Sequence, residues 1–400
     1  MTKIYTLSRY KEFDSAYWGL GWAQNGLVYF GLCTHRPNMT AGLFCFDPKF
    51  KKISKIFNLS EILPRHEAPF QGKIHTSIYS DNKNNIYFRS HFAYPNGIPQ
   101  NVDYSGGHIF AYNTAKNKIT DFGIAVPREG ILSMTFDKNK QIIYCLTAPS
   151  GYFISLNLDT RKYKNHGRAV KEGSICRSIV LDKKGNVYGS LEKNKIFMFD
   201  TDSKTLKILD LVLPYNSSTR EWSSPSRGGV NKIGRNIWRA AVFDKETTQI
   251  FGIHAAYSSL FNFNPLAKRI ANIGYFIPRN YKKNFDNIYP TLSLSVYKNS
   301  LFYTPASGFF DYSRSENIEG FSHLMKYSIS SDKIADEGIV RDKNSRKVYG
   351  VAGSTMSQNG TYYMLGAVEV FDGESYNNQN VIQGKPYHLG LISIQNKNDK

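Results

Sequence analysis

Cysteine is scarce: Cys33, Cys45, Cys145 and Cys176 are the only four, and no two form a CxxC pair. That excludes a zinc ribbon and a disulfide-dense scaffold. Free buried thiols are the expected state. Cys33 and Cys45, which fall in one repeat, are the pair that an oxidising compartment would join. His166 and Cys176 leave one His/Cys spacing from which a metal site could be built. No apolar run reaches eighteen residues, so no transmembrane helix is expected. The opening MTKIYTLSRYKEFDSAYWGLGW has no signal-peptide apolar core, which leaves the compartment open. No long amphipathic helix pattern, linker or low-complexity segment interrupts the chain, and Ser60–His66 and Ser315–Gly320 are expected as single turns. One domain over residues 1–400 follows.

A dense basic block is also missing, although Lys plus Arg number 51 against 32 Asp plus Glu, a net charge of +19. The excess is spread through turns such as Lys51-Lys52 and Lys282-Lys283. It raises the local concentration of anionic partners. Nucleic acid, an anionic polysaccharide and an acidic membrane surface all fit, as does a solvated basic surface with no dedicated partner. No recognised nucleic-acid module accompanies the charge. Paired carboxylates are lacking in the candidate loops, with Asp103 and Glu129 the nearest, which argues against a two-carboxylate glycosidase.

What the chain has in abundance is aromatic residues, 27 Tyr and 26 Phe, which favour strands. They recur in a two-part unit: an aromatic β run, a loop with a Gly or Ser turn, then a second run ending near Asp or Asn. The copies pair Leu27–Phe30 with Gly42–Asp47, Ile86–Phe88 with Gly107–Asn113, Ile142–Cys145 with Gly151–Asn157, and Asn186–Gly189 with Lys195–Asp200. Gln249–Gly252 with Ser259–Asn264, Leu301–Tyr303 with His323–Tyr327, and Thr361–Met364 with His388–Ser393 complete the series. The second run alternates apolar and polar residues, the period of a half-buried strand. Turn pairs such as Asp81-Asn82, Asp137-Lys138-Asn139 and Lys184-Gly185-Asn186 precede the first run and read as hairpin connections. Seven copies of about 45–60 residues predict an all-β, seven-bladed β-propeller, with a strand from Ile4–Tyr10 closing the ring.

In a propeller, residues just after each first run rim one mouth of the channel. They include His35, His91, His254 and the Thr147-Ala-Pro149 turn. Across the same loop lie His108, Tyr152, His323 and His388. Histidine is thus gathered at one level of the repeat. A rim of His, Tyr and Arg suits binding and proton transfer on an anionic substrate. His75, Arg177, Arg239, His254 and Tyr257 are the candidate substrate-binding residues.

The ordered pieces GKIHTSI, YFRSH, SGGHIFAYN, APSGYFISLNLDT, GSICRSIVLD and NIWRAAVFD with IFGIHAAYSSLFNFNP resemble the propeller-fold ulvan lyases and related bacterial polysaccharide lyases. The resemblance covers roughly Gly72 to Pro265. It implies a seven-bladed propeller that cleaves a sulfated, uronate-containing polysaccharide by β-elimination. It also implies a catalytic set of two histidines, a tyrosine and an arginine, matching His91, His108, Tyr152 and Arg168, with Arg177 a competing match for the arginine. No cofactor is required for that chemistry. A structural metal accompanies the family often, but no motif here places its ligands. The expected partner is an anionic polysaccharide, with no nucleic acid and no membrane insertion. A monomer that is secreted, periplasmic or at the cell surface is the setting the resemblance implies. The alternative is a propeller that binds anionic polysaccharide or protein without catalysis, since propellers host many functions.

Overall fold

Each aromatic run becomes the second strand of an antiparallel sheet, and each Gly- or Ser-led run becomes the third. In the computed structural model, seven such sheets follow one another along the chain. The structure describes residues 1–36, 38–93, 101–171, 176–214, 237–254, 259–275, 288–289, 293–307, 322–378, 380–382 and 385–395. Blade 1 comprises Ser15–Trp22, Val28–Cys33, Gly42–Asp47 and Lys52–Asn58. Blade 2 comprises Tyr79–Ser80, Asn85–Arg89, His108–Asn113 and Lys118–Ile124. Blade 3 comprises Gly130–Asp137, Ile142–Ala148, Tyr152–Asn157 and Lys162–Arg168. Blade 4 comprises Val180–Leu181, Val187–Leu191, Lys195–Asp200 and Thr205–Val212. Blade 5 comprises Trp238–Asp244, Gln249–His254, Ser259–Asn264 and Arg269–Tyr275. Blade 6 comprises Leu294–Tyr297, Ser300–Tyr303, His323–Ser328 and Lys333–Ile339. Blade 7 uses Val348–Met356, Tyr362–Glu369 and Lys385–Ile394, and takes its outermost strand, Thr2–Thr6, from the other end of the chain.

That exchange closes the ring as the sequence predicts, with Thr2 opposite Ile394 and Thr6 opposite Gly390. The closing strand ends before Tyr10 because the backbone turns there, Tyr10 N donating to the Leu7 carbonyl. The first strands are innermost and pack against one another around the axis. Seams between blades are filled by the apolar face of each sheet. Phe30, Phe44, Leu365 and Leu391 fill the closing seam, while Phe57, Phe88 and Phe110 fill the seam of blades 1 and 2. Burial of each such side chain stabilises the ring by roughly 1.5–3 kcal/mol. Among the described residues there is no α-helix, and none of the elements is a helix able to cross a membrane. Leu59–Glu61 is one 3-10 turn that overlaps the start of the Ser60–His66 expectation, held by Glu61 Oε1 accepting from Asn58 N at 3.1 Å. The turn expected over Ser315–Gly320 lies outside the described residues.

The hairpins between first and second strands of blades 2 and 4 share one device. Asp182 accepts from Lys184 N and Asn186 N at 2.8 and 2.9 Å, and its second oxygen accepts from Tyr188 Oη at 3.1 Å. Asp81 repeats this with Lys83 N, Asn85 N and Tyr87 Oη. Removing such an acceptor strands a buried phenol and two turn amides, which costs about 1–3 kcal/mol. Asp182→Ala is therefore expected to lose stability of that size in urea unfolding, and an unchanged midpoint would show the device to be dispensable.

An antiparallel sequence of strands places the second-to-third loop and the blade-to-blade connector at the same end of every sheet. The backbones of the candidate residues with a described position therefore lie toward one end of the ring.

Candidate active site

The connector from blade 1 to blade 2 carries Lys73 and His75, and it runs very close to blade 1. A β-carbon on Gly19 would lie 2.1 Å from the Ile74 carbonyl oxygen, and one on Gly31 would lie 2.5 Å from Ile74 Cβ. Only glycine admits this approach, which sets His75 at the mouth. His91, just beyond the second strand of blade 2, is fixed by a backbone bridge to Lys73. Its ring stacks on His75 at 4.6 Å and on Phe92 at 3.9 Å. Gly130 of blade 3 makes room for it, since a β-carbon there would lie 2.2 Å from His91 Nδ1.

Arg89 lies beneath this pair with no solvent exposure. Its Nη2 donates to His75 Nδ1 at 2.7 Å and to the Leu132 carbonyl at 3.0 Å. A guanidinium has no acceptor atom, so His75 Nδ1 is the bare nitrogen and the proton sits on Nε2. Arg177 Nη1 lies 3.5 Å from that Nε2. Two donors thus stand side by side, a pairing that a carboxylate or sulfate oxygen would satisfy. Burial, reinforced by Arg89, Arg177 and Lys73, holds both His75 and His91 well below the usual histidine pKa, so both are neutral at pH 7. Burial brings Arg89 down to about 9, still protonated. Arg239, in the first strand of blade 5, is lowered by burial and by Arg177.

Tyr17 meets His75 edge-on at 5.4 Å. Its hydroxyl lies 2.9 Å from His35 Nε2, and His35 Nδ1 lies 2.9 Å from Asp14 Oδ1. Burial would raise the Asp14 pKa, but the His35 side-chain and backbone hydrogen bonds carry it below the ordinary value. Sequence reasoning placed His35 on the rim but missed Tyr17, Asp14, Lys73 and Arg89. Tyr17 and Arg89 read as ordinary strand residues, and the only signal for Arg89 was its place between a strand and His91.

Tyr152 and Arg168 are direct cross-strand neighbours in blade 3. The guanidinium carbon lies 5.3 Å from the centre of the Tyr152 ring, so Arg168 needs no long reach to stand beside the phenol. Tyr152 N donates to Thr147 Oγ1, and Thr147 Oγ1 donates to Glu129 Oε2 at 2.8 Å. Glu129 precedes Gly130, on which His91 packs, so the turn bearing Tyr152 is tied to the His91 position. His108 turns the other way. It stacks on Phe110 in the seam with blade 1. Its Nδ1 lies 3.0 Å from Asp121 Oδ2, and its Nε2 lies 3.6 Å from Glu67 Oε2. Blade 6 repeats the arrangement with His323 and Asp336 at 3.0 Å. His254 is fully buried, with Nε2 at 2.7 Å from Asn194 Oδ1, and burial lowers its pKa to about 3. Tyr257 lies outside the described residues.

All four cysteines are free. Cys176 bonds to the Ser178 carbonyl, while His166 pairs with Ser155 and packs on Phe199 at 4.5 Å. Among the described residues no three His, Cys, Asp or Glu side chains converge as metal ligands.

The stacked pair His75 and His91, both buried and neutral, carries a pH signature. Unfolding restores each toward its ordinary pKa of 6.5. Below that value the unfolded chain binds more protons than the folded one, so stability falls as pH drops. Each histidine contributes a slope of about 1.4 kcal/mol per pH unit. His91→Asn should remove one proton's worth of slope between pH 6 and 5 in urea unfolding. An unchanged slope would mean that His91 is charged in the folded protein.

No family model matches the chain, and no curated protein matches it in sequence. Solved structures match it in shape. A catalytically inactive virginiamycin B lyase from Staphylococcus aureus, solved with quinupristin, has a TM-score of 0.58 at 11% identity and covers 98% of this chain and 99% of that one. A chain of the mitotic checkpoint complex has a TM-score of 0.55 at 9% identity, covering 99% and 91%. At such identities the likeness shows the seven-bladed fold alone. One of these neighbours is an enzyme and the other belongs to an assembly, so the choice between catalysis and binding rests on the mouth.

Proposed function

We propose that this chain is a polysaccharide lyase that cleaves a sulfated, uronate-containing polymer, with ulvan the first substrate to test, by β-elimination. The observation that carries the reading is the pairing of Tyr152 with Arg168 at a mouth where His75 and Arg177 stand side by side as donors. Elimination removes the proton alpha to the uronate carboxyl group, forms a carbon–carbon double bond and expels the glycosidic oxygen. The carboxylate must be neutralised for that proton to leave. Arg168 pairs with it through its planar fork, one strand from the phenol. Tyr152, acting as a phenolate beside the Arg168 cation, takes the proton and delivers it to the departing glycosidic oxygen, and His91, neutral at pH 7, shares in that transfer. His75 and Arg177 hold a carboxylate or sulfate of the neighbouring sugar. A polymer of this size is met outside the cell, which fits an exported monomer.

His108 enters the same proposal as the second proton-handling histidine. His323 provides its control, because both rings are held by an aspartate in the same way. His108→Gln should lower turnover by about 100-fold or more, while His323→Gln leaves it near normal. Equal turnover in the two variants would make His108 a structural residue. The reading as a whole is tested by incubating the protein with ulvan and following ultraviolet absorbance. A rise from the conjugated unsaturated uronate supports elimination. No rise with ulvan or any other uronate polymer would favour a binding module.

A further inference from the structure

The opposite mouth of the ring carries charge that the proposed chemistry does not use. There the turns joining first and second strands surround the channel exit. Blades 2 to 5 fill these turns with lysine: Lys83, Lys138, Lys183 with Lys184, and Lys245. Each turn also holds one aspartate, but that carboxylate is directed inward. Asp81, Asp137, Asp182 and Asp244 are 4%, 4%, 8% and 3% exposed. Their oxygens are occupied by the turns themselves. Asp137 accepts from Asn139 N and Lys140 N, and Asp244 accepts from Glu246 N and Thr247 N, like the two aspartates described above. The lysines are exposed, and among the described residues none of these five forms an ion pair. Glu246 is the one exposed carboxylate in these four turns. The corresponding turns of blades 1 and 7, residues 23–27 and 357–361, contain no charged residue. The blade 6 turn adds the exposed Lys298, and the result is a crescent of positive charge over blades 2 to 6 rather than a uniformly basic surface. Lys138 is lowered in pKa by burial and by Lys245, and raised in part by Asp81.

We infer that this crescent is a second binding surface, which holds a linear anionic polysaccharide on the face opposite the active mouth. The choice of partner follows from the side chains. Lysine is a compact point charge suited to sulfate and carboxylate groups spaced along a flexible chain. Single-stranded nucleic acid would call for aromatic stacking platforms, and the turns of blades 2 to 5 contain no aromatic residue. Membrane insertion would call for an apolar face among the basic residues, which the same turns lack. That the bound polymer is the substrate itself rests on the proposed function. The surface does not, and it would keep an enzyme on its polymer between cuts.

The test is affinity electrophoresis in gels containing heparin, a sulfated uronate polymer, at two salt concentrations. It compares the full chain with a variant carrying Lys83→Gln, Lys138→Gln, Lys183→Gln and Lys245→Gln. A third protein, Arg177→Gln, alters only the active mouth. The four-lysine variant should bind heparin on the order of tenfold or more weakly, with a shallower salt dependence, while melting as the parent does. Arg177→Gln should keep most of the binding. Retained binding in the four-lysine variant, or loss confined to Arg177→Gln, would overturn the proposal. Should the combined variant fail to fold, Lys83→Gln and Lys245→Gln are made singly, and each must weaken binding measurably or the proposal falls. Tighter binding to duplex DNA or to phosphatidylserine vesicles than to heparin would overturn the assigned partner. Loss of heparin binding in the lysine variant of a protein with no eliminating activity would leave this surface standing and the lyase reading refuted.

Discussion

Tyr152→Phe is expected to lower turnover by about 100- to 10,000-fold while leaving fold and substrate affinity nearly unchanged. The range is that of a positioned acid–base group. The substitution keeps the ring, its cross-strand place opposite Arg168 and the cation above its face. It removes only the hydroxyl that moves the proton. The loss should therefore appear in kcat, with little change in KM. Tyr17→Phe is the informative companion, because Tyr17 is another phenol at this mouth, bonded to His35. Under the proposed roles it costs far less. A Tyr152→Phe enzyme with near-normal turnover, beside an inactive Tyr17→Phe, would move the chemistry to the Tyr17–His35–Asp14 relay.

Arg168→Gln is expected to lower kcat/KM by about 100- to 1,000-fold, the loss typical of one transition-state electrostatic donor. Arg168→Lys should recover little of it. A lysine keeps the charge but cannot present the two-pronged fork a carboxylate accepts. Arg168 is exposed on the outermost strand of its blade, so neither substitution should affect stability much. Steady-state kinetics on both variants, with urea midpoints as controls, decides the matter. Full activity in Arg168→Gln would pass the carboxylate to Arg177, the competing match, whose Nη1 already lies beside His75.

The second and third strands of every blade were legible in the sequence because aromatic alternation marks them, and all seven pairs are found at those positions. The first strands were not. In blades 2 and 4 they are two residues each, Tyr79–Ser80 and Val180–Leu181, too short for any period to register. The mouth was legible as a level of the repeat, and it placed His35, His91 and Tyr152 together. What sequence could not give was the direction of a ring. His91 turns to blade 3 and His108 to the seam with blade 1, although the backbones of Ser90 and His108 are bonded. Nor could it show that Arg89 is fully enclosed. That depends on His75 from one connector and Leu132 from another blade, contacts without a local signature.

The mass of the new chain ends tests the account most directly. The wild-type protein is incubated with ulvan, and the fragments are weighed. Elimination transfers no water, so one fragment of each cut carries an unsaturated uronate that is one water lighter than a hydrolytic end. The account predicts such ends from the wild-type protein, and their loss in Tyr152→Phe. Fragments whose combined mass has gained one water per cut would contradict it, as would a uronate polymer left intact.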